Sequence, residues 1–498
     1  MIRKTFLRIL LPLLPLLLAA VATPVAAQDH SLPWPPSFLK AMEPMVDRKA
    51  ATDKVVITRH SGTFNGRKLD YDAIVTETPV TNADGKDAAV VVTYAYVACG
   101  DDADPARPVL FIFNGGPGAS SSPLHLQAFG PKRIVGDRLV NNTHSLLDVA
   151  DLVFVDPPGT GASMPIEGAD PDSLFSVAGD AAAVSSVADA WLKANGRTAS
   201  PVSYLGESYG TVRALWMLSA QLQAGRNLPD GVALLAMALG ETGGPVISDV
   251  VHFPTFAATA WYHGKVDRRG MDVDSYYAAA LVFARETLAP ALLKGASLPE
   301  EERRGVAAEM SRWIGLPADA IEAAGLRIDQ DTFMFGLLAD EGMRTGRLDS
   351  RVTRAIADSN MHPPFDDPSM TLGNGSSDIL GRYLADELGY ALPSPYRSLN
   401  LGINFRWNYG EKATFATMRS VPELVAALAA KPDLKVFTSG GYYDIATPAQ
   451  AGLFVLDQAG VAPPVRESHV YRAGHSVFED ERELGRLSDD LRAWIRTL

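Results

Sequence analysis

Apolar and polar positions alternate with a period of two early in the chain. This predicts strands over Val55–Thr58, Leu69–Glu77 and Ala88–Ala98. Asn65-Gly66 and Asp84-Gly85 fall between these runs, and both dipeptides suit tight hairpin turns. From residue 109 the pattern changes to short, continuously apolar runs at Val109–Phe113, Leu152–Val155, Val202–Leu205 and Val232–Leu239. It resumes at Leu434–Thr438 and Ser468–Arg472. Runs of this kind with helical periodicity between them predict a mostly parallel sheet covered by helices on both faces. The last stretch, from Glu481 to Leu498, sets Leu484, Leu487, Leu491, Trp494 and Ile495 along one side of a helix.

The interruption from 241 to 402 reads as helical almost throughout, with Ser297 and Glu300 as a capping box and Gly325 as a helix C-cap. The division expected is therefore 28–240 and 403–498 as two parts of one α/β core, with 241–402 inserted between them. A helical block placed between core strands is expected to form a cap over the sheet. The alternative is an independent partner-binding module.

Composition narrows the class. The chain has 498 residues, 47% of them hydrophobic, enough to fill a large core. Arg3, Lys4 and Arg8 precede an apolar run from Ile9 to Ala22, and Val25-Ala26-Ala27 supplies small residues before Gln28. Residues 1–27 thus read as a cleaved signal peptide of an exported protein, periplasmic or secreted, with an uncleaved membrane anchor as the rival. No stable membrane association is expected after cleavage. A net charge of −13 argues against nucleic acid and anionic membrane surfaces as partners. Cys99 is the single cysteine, so no intramolecular disulfide is available, and it reads as a small core residue.

The chemistry centres on Val202 to Ala214, VSYLGESYGTVRA. A β-prone run enters Gly206-Glu207-Ser208-Tyr209-Gly210, a G-x-S-x-G match, and Val212, Leu215, Trp216 and Leu222 then follow at helical spacing. A strand turning sharply into a helix needs glycine on both sides of the turn and leaves the serine at its apex. That is the nucleophile elbow of an α/β-hydrolase fold.

A serine hydroxyl needs a base, and the base needs an orienting acid; in this fold the chain order is Ser, acid, His. Of nine histidines, His469 and His475 belong to the last core region. His469 falls inside a predicted strand and reads as structural, whereas His475 follows it and is the expected base. Asp444 follows the preceding strand and is the expected acid, with an ordinary turn aspartate as the alternative; Asp433 precedes that strand, at the wrong end of the sheet. Oxyanion donors are expected from the N–H groups of Tyr209 and of Gly116, in the glycine-rich loop after Phe113. Neither that loop nor Gly159-Thr160-Gly161 completes a phosphate-binding fingerprint, since Met164 fills the third position of the latter. His475 and Glu479 are one helical turn apart but lack a second histidine pair, so neither a metal nor a cofactor is expected.

Five motifs then occur in a telling order: NGGPGASS (Asn114 to Ser121), VDPPGTGAS (Val155 to Ser163), GESYG (Gly206 to Gly210), SGGYYDIATP (Ser439 to Pro448) and AGHS (Ala473 to Ser476). In this the chain resembles the serine carboxypeptidases, peptidase family S10. The resemblance implies Ser208, Asp444 and His475 as catalytic triad and Gly116 and Tyr209 as oxyanion donors. It further implies that Asn114, Gly115 and Glu207 grip the free carboxylate of a peptide substrate. A carboxyl group holds a carboxylate only through a shared proton, which favours acidic pH.

Three positions depart from the family pattern. Ala128 stands where a further carboxylate-binding glutamate is usual, and the adjacent Gln127 is expected to point elsewhere. Ala119 replaces a cysteine, removing a disulfide. Thr211 and Val212 stand where a second glycine would follow the nucleophile motif. The expected function is an exported carboxypeptidase working through an acyl-enzyme. The rivals are an esterase or acyltransferase with the same triad, and a non-catalytic binding protein on the same scaffold.

Overall fold

The alternating runs form three long antiparallel strands, β1 (Val55–Phe64), β2 (Arg67–Thr81) and β3 (Asp87–Ala98). Asn65 and Gly66 turn β1 into β2 at φ 47° and 77°, the left-handed geometry that such hairpins need. In chain order follow β4 (Val109–Phe113), β5 (Lys132–Val135), β6 (Arg138–Asn141), β7 (Asp151–Asp156), β8 (Met164–Pro165), β9 (Val202–Glu207) and β10 (Gly231–Leu235). Then come β11 (Met343–Thr345), β12 (Thr353–Ala355), β13 (Lys435–Gly441) and β14 (Arg466–Tyr471). In this computed structural model the described residues are 36–240, 243–359, 366–370 and 374–498. They all belong to one unit, Trp34–Leu498. The expected signal segment, 1–27, lies outside the described residues.

The central sheet runs β1-β2-β3-β7-β4-β9-β10-β13-β14, with β8 on β3. Neighbours from β7 to β14 pair in parallel, and β1, β2 and β3 form the antiparallel edge. Alternation along each strand sorts the core into two layers. Val109, Phe111 and Phe113 of β4 join helices Val177–Ala194, Tyr209–Gln223 and Val421–Ala430 on one face. Leu110 and Ile112 join Leu380, Tyr383 and helix Glu481–Ile495 on the other. Both faces are covered, and this is the α/β-hydrolase architecture. Burying a strand on two sides explains its continuously apolar sequence.

Some local expectations change. The run Val232–Leu239 leaves the sheet at Leu235: Ala236 turns at φ 47°, while Met237, Ala238 and Leu239 stay buried in the loop beyond. Apolarity there reports burial, not pairing. The Ser297–Glu300 capping box does not form. Ser297 Oγ instead donates to Lys294 O at 2.6 Å, and Pro299 takes the N-cap of helix Glu300–Ile314. Gly325, at φ 64°, does follow helix Ala318–Ala323.

Between β10 and β13 the chain forms several helices, chiefly Pro245–Tyr262, Val273–Phe283 and Glu300–Ile314, with a core of their own that includes Phe256, Trp313 and Phe333. It is not helical throughout, because β11 and β12 make a two-stranded ribbon there. No described helix is long and apolar enough to cross a membrane.

Candidate active site

Strands β4, β9, β13 and β14 run the same way, so the loops after them emerge at one sheet edge. Those loops carry Asn114-Gly115-Gly116, Ser208, Asp444 and His475 in turn. A cavity of about 500 Å³ opens there, lined by Asn114, Gly115, Gly116, Glu207, Ser208 and His475 among others.

Ser208 sits at φ 58°, ψ −127°, a conformation that side chains rarely adopt. The turn is tight enough that a Cβ on Gly206 would run into the Gly210 carbonyl. Thr211, where the family has glycine, braces the turn. Its hydroxyl donates to Ser208 O at 2.7 Å and accepts from Ala238 N at 3.1 Å. Gly115 lies directly against the elbow: a Cβ there would strike the backbone nitrogen of Tyr209 and come within 2.8 Å of Glu207 O. The Tyr209 N–H heads helix Tyr209–Gln223, where the first amides have no intrahelical acceptor. The Tyr209 side chain is fully buried, and its hydroxyl accepts from Trp407 Nε1 at 3.1 Å.

Asn114 is oriented from both ends. Its Oδ1 accepts from Leu124 N at 3.1 Å, which turns the amide NH2 toward Glu207, and Nδ2 donates to Glu207 Oε2. Arg213 holds its backbone, with Nη1 donating to Asn114 O at 2.5 Å and Nε to Asp180 Oδ2 at 2.7 Å. That guanidinium is itself buried, 5.5 Å from the Phe113 ring centroid and 5.4 Å from that of Tyr209. Burial raises the Glu207 carboxyl above the ordinary carboxylate range, against the pull of His475, Ser476 and Asn114.

Asp444 is fully buried. Its Oδ2 lies 2.8 Å from His475 Nδ1 and accepts from the Thr447 hydroxyl at 2.6 Å; its Oδ1 accepts from Thr447 N at 2.9 Å. Burial raises this carboxyl, but the imidazole and the Thr447 donors outweigh it and hold Asp444 below its usual value. Burial lowers His475 in the same way, yet Asp444, with help from Glu207, pushes it up to about 9. The ring's hydrogen-bond partners among the described residues are Asp444 and Thr447. Ser208 shares the cavity with the ring without being hydrogen-bonded to it.

Both loops are propped by the segment after β11. Ile445 N and Ala446 N donate to Arg347 O at 3.0 and 3.1 Å, and His475 N donates to Leu348 O at 2.7 Å. Arg347, Thr447 and Glu479 also line the cavity; Thr447 lies within the SGGYYDIATP motif, which assigns it no role, and Arg347 lies in no motif. Gln127 requires a correction, because it is among the residues that line the cavity. Residues Leu124–Phe129 wind as a π-helical turn, closed by Gly130 N donating to His125 O at 3.0 Å, which rotates Gln127 outward while Ala128 is fully buried. Ala119 pairs with Leu399, and Ser120 N donates to Ser398 O at 2.9 Å, so backbone contacts tie this loop down where the family has a disulfide. His469 stays in β14, stacked on Phe437 with Nε2 2.7 Å from Glu467 Oε1.

Residues 89–283, which span the glycine loop and the elbow, match the serine carboxypeptidase family model. The pheromone-processing carboxypeptidase KEX1 of Verticillium alfalfae is 50% identical over 58 residues, 11% of this chain and 9% of that protein. Its counterpart in Ajellomyces capsulatus is 46% identical over 69 residues, 14% of this chain and 11% of that protein. The matches thus span about a tenth of the length of these curated relatives. The solved structure of Kex1, a prohormone-processing carboxypeptidase from Saccharomyces cerevisiae, superposes with a TM-score of 0.51 at 14% identity, covering 87% of this chain and 91% of that one. At that identity the likeness is one of fold. With its glycine loop packed onto a strained serine elbow, the chain is similar to the serine carboxypeptidase family over residues 89–283.

Proposed function

We propose that the chain is an exported serine carboxypeptidase that removes C-terminal residues from peptides through an acyl-enzyme. Ser208 Oγ attacks the scissile carbonyl while His475 Nε2 takes its proton, and the Gly116 and Tyr209 N–H groups stabilise the oxyanion. The imidazolium then protonates the departing amine. Water, deprotonated by the same imidazole, cleaves the ester. Asp444 keeps the Nδ1 proton in place, leaving Nε2 as the basic nitrogen. Asn114, Gly115 and Glu207 grip the terminal carboxylate, residues 241–402 cap the site, and residues 1–27 direct export. The observation that carries this reading is the 2.8 Å contact between Asp444 and His475, at the sheet edge where Ser208 and the glycine loop also emerge.

The test is mass spectrometry of a peptide library incubated with the chain from residue 28 at several pH values. Stepwise loss of C-terminal residues is expected, and S208A should abolish it while far-UV circular dichroism stays unchanged. Equal turnover by S208A would eliminate the mechanism. Ala128, in place of a second carboxylate-gripping acid, favours one alternative, an esterase or acyltransferase on the same triad. Comparing a peptide acid with its C-terminal amide and a simple ester separates the two: a carboxypeptidase prefers the acid, and an esterase prefers the ester.

A further inference from the structure

The connection from β11 to β12 brings Arg347 into the cavity that Ser208 and His475 line. Its main chain is fixed. The N–H donates to Asp367 Oδ1 at 3.0 Å, and the carbonyl accepts from Ile445 and Ala446. Its side chain is held at one point, with Nε donating to Gln330 Oε1 at 2.8 Å, and Gln330 Nε2 is in turn 2.9 Å from His252 Nε2. The two terminal amino groups of the guanidinium have no hydrogen-bond partner among the described residues.

Three acids, Asp444, Asp367 and Asp331, act on the guanidinium, and none of them is hydrogen-bonded to its terminal amino groups among the described residues. Asp367 accepts from the N–H groups of Arg347, Leu348 and Ser369, and Asp444 from His475 and Thr447. The other guanidinium lining the cavity, Arg397, donates to the carbonyls of Lys40, Glu43 and Pro44. Arg347 is therefore a cation with donors to spare, anchored so that little side-chain freedom remains to be lost on binding. A carboxylate fits those two donors in a bidentate pair.

We propose that Arg347 selects peptides with an acidic side chain, Asp or Glu, at the penultimate position. This rests on the carboxypeptidase reading above. The Asn114–Glu207 side takes the terminal carboxylate and with it the leaving residue. With the terminal residue held at Asn114 and Glu207, the acyl-donating residue is the one assigned to Arg347, whose carbonyl is bonded to the Ile445 and Ala446 amides beside Asp444.

Matched peptides with Glu or Gln at the penultimate position, and a second pair varied at the last position, test this through their kcat/KM ratios. At pH 6 the penultimate Glu peptide should be preferred on the order of tenfold, the usual worth of a charge-assisted hydrogen bond. The preference should fade as pH falls through about 4.3, where a glutamate side chain protonates. R347Q should bring the ratio to about one, and R347K should retain part of it. A wild-type ratio near one, a ratio that survives R347Q, or discrimination confined to the last position would overturn the assignment. If R347Q does not fold, the wild-type ratio and its pH dependence decide alone. Failure to cleave any of the four peptides would instead sink the carboxypeptidase reading, and this inference with it.

Discussion

Oδ2 of Asp444 lies 2.8 Å from Nδ1 of His475, with the Thr447 hydroxyl donating to the same oxygen. A neutral amide there would present an N–H or a weaker acceptor to the ring and favour the wrong tautomer. D444N should therefore lower kcat by about 10⁴ with little change in KM. Steady-state kinetics on one peptide checks this, and a loss under tenfold would remove Asp444 from the mechanism.

Gly115 has no room for a side chain against the Tyr209 amide and the Glu207 carbonyl. G115A should push the glycine loop off the elbow and misplace the Gly116 donor. A fall of about 10²–10³ in kcat is expected, the usual cost of losing one oxyanion donor. Thermal melting should show a folded protein, because the loop sits at the sheet edge and not in either core layer.

Glu207 and His475 compete for protons. Burial favours the neutral Glu207 carboxyl, and an ionised Glu207 in turn helps to hold a proton on His475. As pH rises, ionising Glu207 thus removes the shared proton proposed to grip a substrate carboxylate and also strengthens the hold on the proton of His475. The first effect lowers activity on the alkaline side, whereas the second keeps the base protonated to higher pH and limits activity from the acidic side. E207Q abolishes both, so its kcat/KM profile should extend toward neutral pH, with a lower value at the acidic optimum. An unaltered profile would remove Glu207 from substrate binding.

Arg213 and Asp180 form a buried pair beneath the Asn114 loop. R213M would leave the Asp180 carboxylate unpaired in the interior, at a cost of about 3–5 kcal/mol. Urea denaturation should show that loss, and R213M/D180N should recover part of it. Activity should fall further than stability explains, since the Asn114 carbonyl loses its donor.

The parallel sheet was legible because strands buried on both sides must be apolar along their whole length. The elbow was legible because its glycines are forced by close backbone approach. Chain order then singled out Asp444 and His475, and the strand directions bring their loops to the same edge. What escaped was set by contacts between distant segments. β11 and β12 have three residues each, too few for a period to register, so the placement of Arg347 left no trace in the pattern. Gln127 depends on a π-helical turn, which shifts every side chain after it by a fraction of a turn. Ser297 and Glu300 had the spacing of a capping box, but Pro299 takes the N-cap and the helix starts at Glu300.

The amides of Ile445, Ala446 and His475 all hang from the carbonyls of Arg347 and Leu348. Those carbonyls belong to the long stretch between β10 and β13, so that stretch is scaffolding for the reaction centre as well as a wall of its pocket. Excising it to obtain a minimal hydrolase, or exchanging it for the corresponding stretch of a relative, would release both loops at once. Engineering of substrate preference here is therefore confined to side-chain changes on an intact insertion.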